Sequence, residues 1–292
     1  MLMLGPTLAI LSAVASGFSV VIVGRHSTES NAFNMSVLIS AVGLAILWPL
    51  AFVLTDFRAV NIAGIALFAV GGFLTPGLVR LFYYNGLKKL GTSVNSSIFS
   101  IYPVYTAFLA SVVLSEILTP QNWMGVFSIA VGVVFVELTF KGNNNSPRAL
   151  TRSLAFPILG GVTLGVSSIL RKAALDLFNA PILGVAVAYT ASFLLYSAML
   201  AGSKPLRQEL SLKRDLRLFW LAGIGQALSW IFSFYALSFE NVSVITPLLS
   251  IEPLFVVLLA YQFLRGKEHV SPKLIIGIVL TVLGVILVTS GV

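Results

Sequence analysis

Ten apolar runs, each about twenty residues long and so able to cross a hydrocarbon core as an α-helix, follow one another along the chain. They occupy roughly 5–24, 34–54, 61–83, 93–114, 123–140, 154–173, 180–201, 217–238, 243–264 and 273–291. In lipid only helices and closed barrels satisfy their own backbone polar groups. The runs are too long for barrel strands and lack strict alternation. They predict an all-α membrane protein with ten transmembrane helices. Charge content agrees: only 10% of the 292 residues are charged, too few to cover a water-facing surface. The first run lacks the basic leader and small-residue cleavage site of a signal peptide, so it reads as a retained span. There is no cysteine, which excludes disulfides and thiolate metal sites.

The second half of the sequence copies the first. At an offset of 150, Leu87 matches Leu237, Ser93-Val94 matches Ser243-Val244, Ser100-Ile101 matches Ser250-Ile251 and Pro103 matches Pro253. After a slip of two residues, Glu116 matches Glu268, Pro120 matches Pro272, Gly125 matches Gly277 and Gly132 matches Gly284. The polar stretch Lys141 to Arg148 stands between the copies, giving a first repeat over 1–140, a linker over 141–153 and a second repeat over 154–292. Each copy holds five spans. Five is odd, so the second copy enters the membrane inverted relative to the first. Inverted repeats characterise secondary transporters, whose sites lie near the midplane between the copies.

The loops set an expected orientation. Fourteen Lys and Arg residues fall on the face opposite the termini, and three (Arg58, Arg171 and Lys172) fall on the terminal face. By the positive-inside bias both termini lie outside, with the cell membrane as the expected location. The net charge of +8 reflects these loops. No extended soluble domain exists to present a basic groove, so nucleic acid is not an expected partner.

The paired segments "SIYPVYTAFLASVVLSE" and "SIEPLFVVLLA" make the chain resemble the EamA-like branch of the drug/metabolite transporter superfamily. The motif positions are Pro103, Glu116, Gly125 and Gly132 in the first copy, and Pro253, Glu268, Gly277 and Gly284 in the second. The resemblance implies a ten-helix carrier of small metabolites. It also implies a central cavity lined mainly by spans one, three, four, six, eight and nine. Relatives of this kind handle amino acids, sugars, nucleotide-linked sugars or organic cations, and bacterial ones usually keep their termini inside.

Glu252 lies ten residues into the run that opens at Val242, hence about 15 Å along a helix. A carboxylate at that depth is costly and normally faces a cavity or a partner. Pro253 beside it removes a backbone hydrogen bond and opens a kink. Pro76 and Pro103 are the other expected hinge positions. The alternative for Glu252 is a structural hydrogen bond to neighbouring helices. Arg80 reads as the one basic residue well inside a span, suited to a bidentate grip on a carboxylate. Its alternatives are a lasting Arg80–Glu252 ion pair, or snorkelling toward the loop. Trp230, Tyr102, Gln226 and Tyr83 complete the expected substrate wall, apolar with a few polar groups. Ser12 and Ser16, echoed by Thr163, Ser167 and Ser168, suit close helix packing or cavity lining.

No phosphate loop, metal-ligand spacing or catalytic histidine pattern is present, so neither ATP hydrolysis nor a cofactor is expected. The sequence thus favours a secondary transporter, not an enzyme, working by alternating access, with the bilayer and a small-molecule substrate as partners. An acid and a base at depth suit a zwitterion, so an amino acid with a hydrophobic or aromatic side chain is the favoured substrate. The alternatives are a proton-linked exporter of organic cations using Glu252, another metabolite, or an intramembrane enzyme acting on lipid-linked substrate. One chain holds both repeats, so a monomer can form the whole pathway.

Overall fold

The computed structural model describes residues 4–26, 29–57, 60–90, 99, 101–137, 154–263 and 272–290. The expected 141–153 linker, Glu268 and Ser100 lie outside them. The helices are α1 (Leu4–Arg25), α2 (Ala32–Leu54), α3 (Ile62–Gly72), α4 (Val79–Leu90), α5 (Tyr102–Val113), α6 (Pro120–Glu137), α7 (Ala155–Leu177), α8 (Pro181–Gly202), α9 (Lys204–Glu209), α10 (Leu212–Phe239), α11 (Val242–Leu249), α12 (Glu252–Phe263) and α13 (Pro272–Ser290). Spans three and nine each comprise two helices, α3 with α4 and α11 with α12. The short α9 joins spans seven and eight. Ten spans result, as two inverted five-helix repeats.

Helix pairing makes the inversion visible. α1 packs on α10 and on α12; their repeat equivalents, α7 on α3 and α7 on α5, pack likewise. The equivalent spans two and seven pair with each other as α2 on α8, and five and ten as α6 on α13. Each copy therefore buries its faces mainly against the other copy. Outward faces stay apolar and exposed, as at Val53 and Ile62, because lipid is their solvent.

Two element boundaries differ from those expected. Span six runs on to Leu177, which sets Arg171 six residues before the helix end instead of at its edge. Span eight begins at Leu212, because the buried Asp215 carboxylate reaches back to accept the Ser211 N–H at 3.1 Å and neutralises the helix start.

Span three breaks where the sequence places Pro76. A wide turn over Phe73–Leu78 separates α3 from α4, and Thr75 there is extended (φ −141°, ψ 119°). A broken helix in lipid must find substitute donors for its freed carbonyls. The fully buried Tyr196 on α8 supplies one, donating its hydroxyl to Pro76 O at 2.8 Å and Gly77 O at 3.2 Å. Removing that donor leaves two carbonyls without it and a packed ring otherwise intact. Tyr196→Phe is therefore expected to destabilise the protein by about 1–3 kcal/mol. Unfolding in mild detergent measures this, and an unchanged midpoint removes Tyr196 from the role.

Span nine breaks at Ser250–Ile251, between Pro247 inside α11 and Pro253 in the first turn of α12. Its N-terminal end is fixed across the repeats. α5 ends with Ser115 in the left-handed region (φ 56°) and the Glu116 N–H returned to Ala110 O at 3.3 Å. That turn aims the Glu116 carboxylate at the start of α11, where it accepts Val242 N at 2.9 Å and Ser243 N at 3.0 Å. A carboxylate on two open helix N–H groups satisfies both and complements the helix dipole.

Candidate functional site

A cavity of about 150 Å³ lies between the two repeats. α1 contributes Ser12 and Ser16, α5 contributes Tyr102, and α7 contributes Ser168 and Arg171. α10 supplies Gln226, Ser229, Trp230 and Ser233; the two halves of span nine supply Thr246, Leu249 and Glu252. A larger hollow of about 500 Å³ opens at the ends of α2 and α10 beside the α7–α8 turn. Its polar residues include the exposed Asp56 and Asn179, whereas the smaller cavity holds the buried Arg171 and the half-buried Glu252, which makes it the candidate site.

Glu252 begins α12, just past the break, and one carboxylate oxygen accepts the Ser16 hydroxyl at 2.6 Å. Ser12, one turn earlier on α1, donates to Ser229 O at 2.8 Å and ties α1 to α10. Tyr102 donates weakly to Thr246 O at 3.4 Å, linking spans four and nine at the same level.

Arg171 is the second charge, and it is 4% exposed. Its Nη2 donates to Ser168 Oγ at 2.9 Å and its Nε to Ser167 O at 3.3 Å. The guanidinium carbon lies 4.9 Å from the Trp230 ring centre and 5.7 Å from that of Phe234. Aromatic faces attract a guanidinium, so these rings hold its position without neutralising it. Tyr189 meets the Trp230 ring edge-on at 5.8 Å and fixes it from behind. Among the described residues no ion pair within 4.0 Å joins Arg171 to Glu252. A carboxyl and a guanidinium thus share the cavity without pairing with each other.

Of the residues expected from sequence, Glu252, Trp230, Tyr102 and Gln226 meet in this cavity. Arg80 and Tyr83 do not line it. Arg80 turns toward α2 instead, with Nη1 3.4 Å from Ser40 Oγ and 3.5 Å from Ser36 O. No Arg80–Glu252 ion pair forms. Tyr83 stacks edge-on against Phe99 at 5.1 Å, and Phe99 in turn lies 5.9 Å from Tyr102, one ring behind the wall. Among the described residues none of span three lines the cavity, which differs from the implied set of six spans. Pro76 sits in the span-three break, Pro103 in the first turn of α5 and Pro253 in the first turn of α12.

The orientation count took Arg171, near the end of the 154–173 run, as a charge of the terminal face together with Lys172. The neighbours part company in the fold. Lys172 reaches Leu237 O at 3.1 Å and pairs with Asp176 at 3.2 Å, while Arg171 turns inward. A usable signal existed: Ser167 and Ser168 lie four and three residues before Arg171, so all three share a helix face.

The model of the EamA-like transporter family matches the chain in two copies, over residues 3–138 and 151–290. No curated protein matches. A solved crystal structure, described only as that of a protein, is 16% identical and superposes with a TM-score of 0.78, covering 98% of this chain and 95% of the other. That likeness concerns the fold. Two tandem matches spanning nearly the whole sequence, on ten helices in inverted halves, place the chain in the EamA-like transporter family, whose members are membrane transporters of small molecules.

Proposed function

We propose that this protein is a secondary transporter of a small zwitterion, best an amino acid, working by alternating access. The observation that carries this reading is the unpaired Arg171 and Glu252 in one cavity. A zwitterion brings a complementary charge to each: its carboxylate to the Arg171 fork, its ammonium to Glu252. Arg171 thus takes the role that the sequence suggested for Arg80. Hydroxyls from Ser12, Ser168, Ser229 and Ser233 surround the backbone of such a ligand, and Trp230 and Tyr102 flank it.

Size narrows the class. Pockets for drug-sized ligands measure about 300–1,000 Å³, so a cavity of about 150 Å³ favours a small amino acid over an aromatic one. Rocking of the two copies about the cavity exposes it to each side in turn. The loop charges favour termini outside in the cell membrane, and one chain suffices for the pathway.

Counterflow in proteoliposomes tests the reading. Vesicles are preloaded with single amino acids, organic cations or sugars, for wild type and Glu252→Gln. Wild type is expected to exchange a small amino acid, and Glu252→Gln to lose that exchange while remaining folded. Exchange of organic cations with no amino-acid exchange would replace the zwitterion by a cation, coupled to a proton through Glu252.

A further inference from the structure

The break in span nine holds more open oxygen ligands than Glu252 alone. Thr246 Oγ1 is buried without a hydrogen-bond partner, and Thr246 is 1% exposed on the cavity wall. An orphaned hydroxyl at such a place is uncommon and points to something it is built to meet. Pro253 has no N–H to offer the Leu249 carbonyl four residues back. The N–H groups around the break go elsewhere: Ser250 to Thr246 and Pro247, Ile251 to Leu248, and Leu254 to Ile251. Leu249 lines the same cavity. The Ser16 hydroxyl, already on Glu252, keeps lone pairs to share.

These groups share one chemistry. All are oxygens, with neither imidazole nor thiolate, which suits a hard cation. Only one of them is charged, so a single positive charge balances the set. Unwound helices in carriers use freed carbonyls in this manner. A substrate ammonium fits the description, and so does an alkali ion. We propose that the span-nine break is a compact monovalent-cation site, occupied by the substrate's ammonium in the loaded carrier and by a sodium ion in the unloaded one. This rests on the transport reading above and deepens it. Because Glu252 serves both occupants, they exclude one another. Sodium then exchanges against substrate, and the carboxylate is neutralised in both forms.

The test uses the full chain in lipid nanodiscs, without substrate, so that it does not depend on transport. Thermal unfolding is followed as NaCl replaces N-methylglucamine chloride or KCl at constant ionic strength. Wild type is expected to show a saturable rise in midpoint with sodium only. Thr246→Val, which removes one neutral ligand, is expected to weaken the sodium effect about tenfold. Thr246→Ser is expected to retain it, and Glu252→Gln to abolish it. Adding the amino acid found by counterflow should lower the apparent sodium affinity in proportion to its concentration.

No sodium-specific rise in folded wild type overturns the site. So does a rise that survives both Thr246→Val and Glu252→Gln, or an equal effect of potassium, which overturns the sodium assignment. Amino-acid counterflow that proceeds without any sodium effect leaves the transport reading standing and removes this one. A sodium effect in a protein that exchanges no amino acid does the reverse.

Discussion

Replacing Arg171 by Gln is expected to lower zwitterion counterflow about 100-fold, equivalent to about 2.7 kcal/mol, while Arg80→Gln leaves it within a few-fold of wild type. Truncating one member of a buried charge interaction costs about 2–5 kcal/mol, because the other charge remains desolvated and unpaired. For Arg171→Gln that stranded group would be the carboxylate of the proposed zwitterion. Glutamine keeps a hydrogen-bonding head near Ser168 but presents no charge and no fork. Arg171→Lys should rescue only in part, since an ammonium is a point charge and stacks poorly on Trp230. Arg80 lies off the cavity against Ser36 and Ser40, so its loss should appear in the unfolding midpoint instead. Exchange rates at equal inserted protein, with Trp fluorescence reporting substrate binding, separate the two residues. If Arg80→Gln abolishes exchange in a folded protein and Arg171→Gln does not, the carboxylate partner is Arg80.

The largest effect on stability is expected at the α6–α13 seam. The two helices approach so closely that a Cβ built on Gly132 would lie 2.7 Å from Gly277 O and against Thr281. A Cβ on Gly277 would meet Gly132 O at 2.7 Å, and one on Gly284 would meet Gly125 O at 2.7 Å. The obstacles are backbone atoms, which cannot swing aside. Gly132→Ala must therefore push the helices apart. Close packing of small residues is what holds helices together in lipid, where tails are as apolar as leucine. A loss of about 3 kcal/mol is expected, at the upper end for overpacking. Gly202→Ala is the control: nothing lies within 4 Å of its Cβ position, and a change within about 0.5 kcal/mol is expected. Unfolding by SDS titration measures both. An unchanged midpoint for Gly132→Ala would mean that the seam is not seated so closely.

Much of the fold was legible because its signals are local or repeat themselves. The apolar runs stand alone, and the pairs Gly125 with Gly277 and Gly132 with Gly284 mark the same seam in both copies. Helix breaks were foreshadowed by Pro76 and Pro253, yet Pro247 drew no notice although it flanks the span-nine break. Glu116 stood out in sequence only as a repeated motif position; its grip on α11 of the opposite copy could not be read, since nothing in sequence joins positions 126 residues apart. Within the site, Glu252 stood out as an acid amid apolar residues. Arg171 was hidden by Lys172 and by its place near a run's end.

The sequence by itself determined that the chain is helical, crosses the membrane ten times and is built of two inverted copies. Run length and the need to satisfy every backbone group in lipid leave no other solution, and an odd number of spans per copy enforces the inversion. Which charges face one another was decided only by the tertiary structure. Arg80 and Arg171 are alike as letters within apolar runs. Their roles differ because the span-three break and the packing of α4 turn Arg80 toward α2, while the serine face of α7 and the Trp230 ring turn Arg171 into the cavity. Helix rotation and rotamer choice follow from packing against distant segments, and no local pattern encodes them.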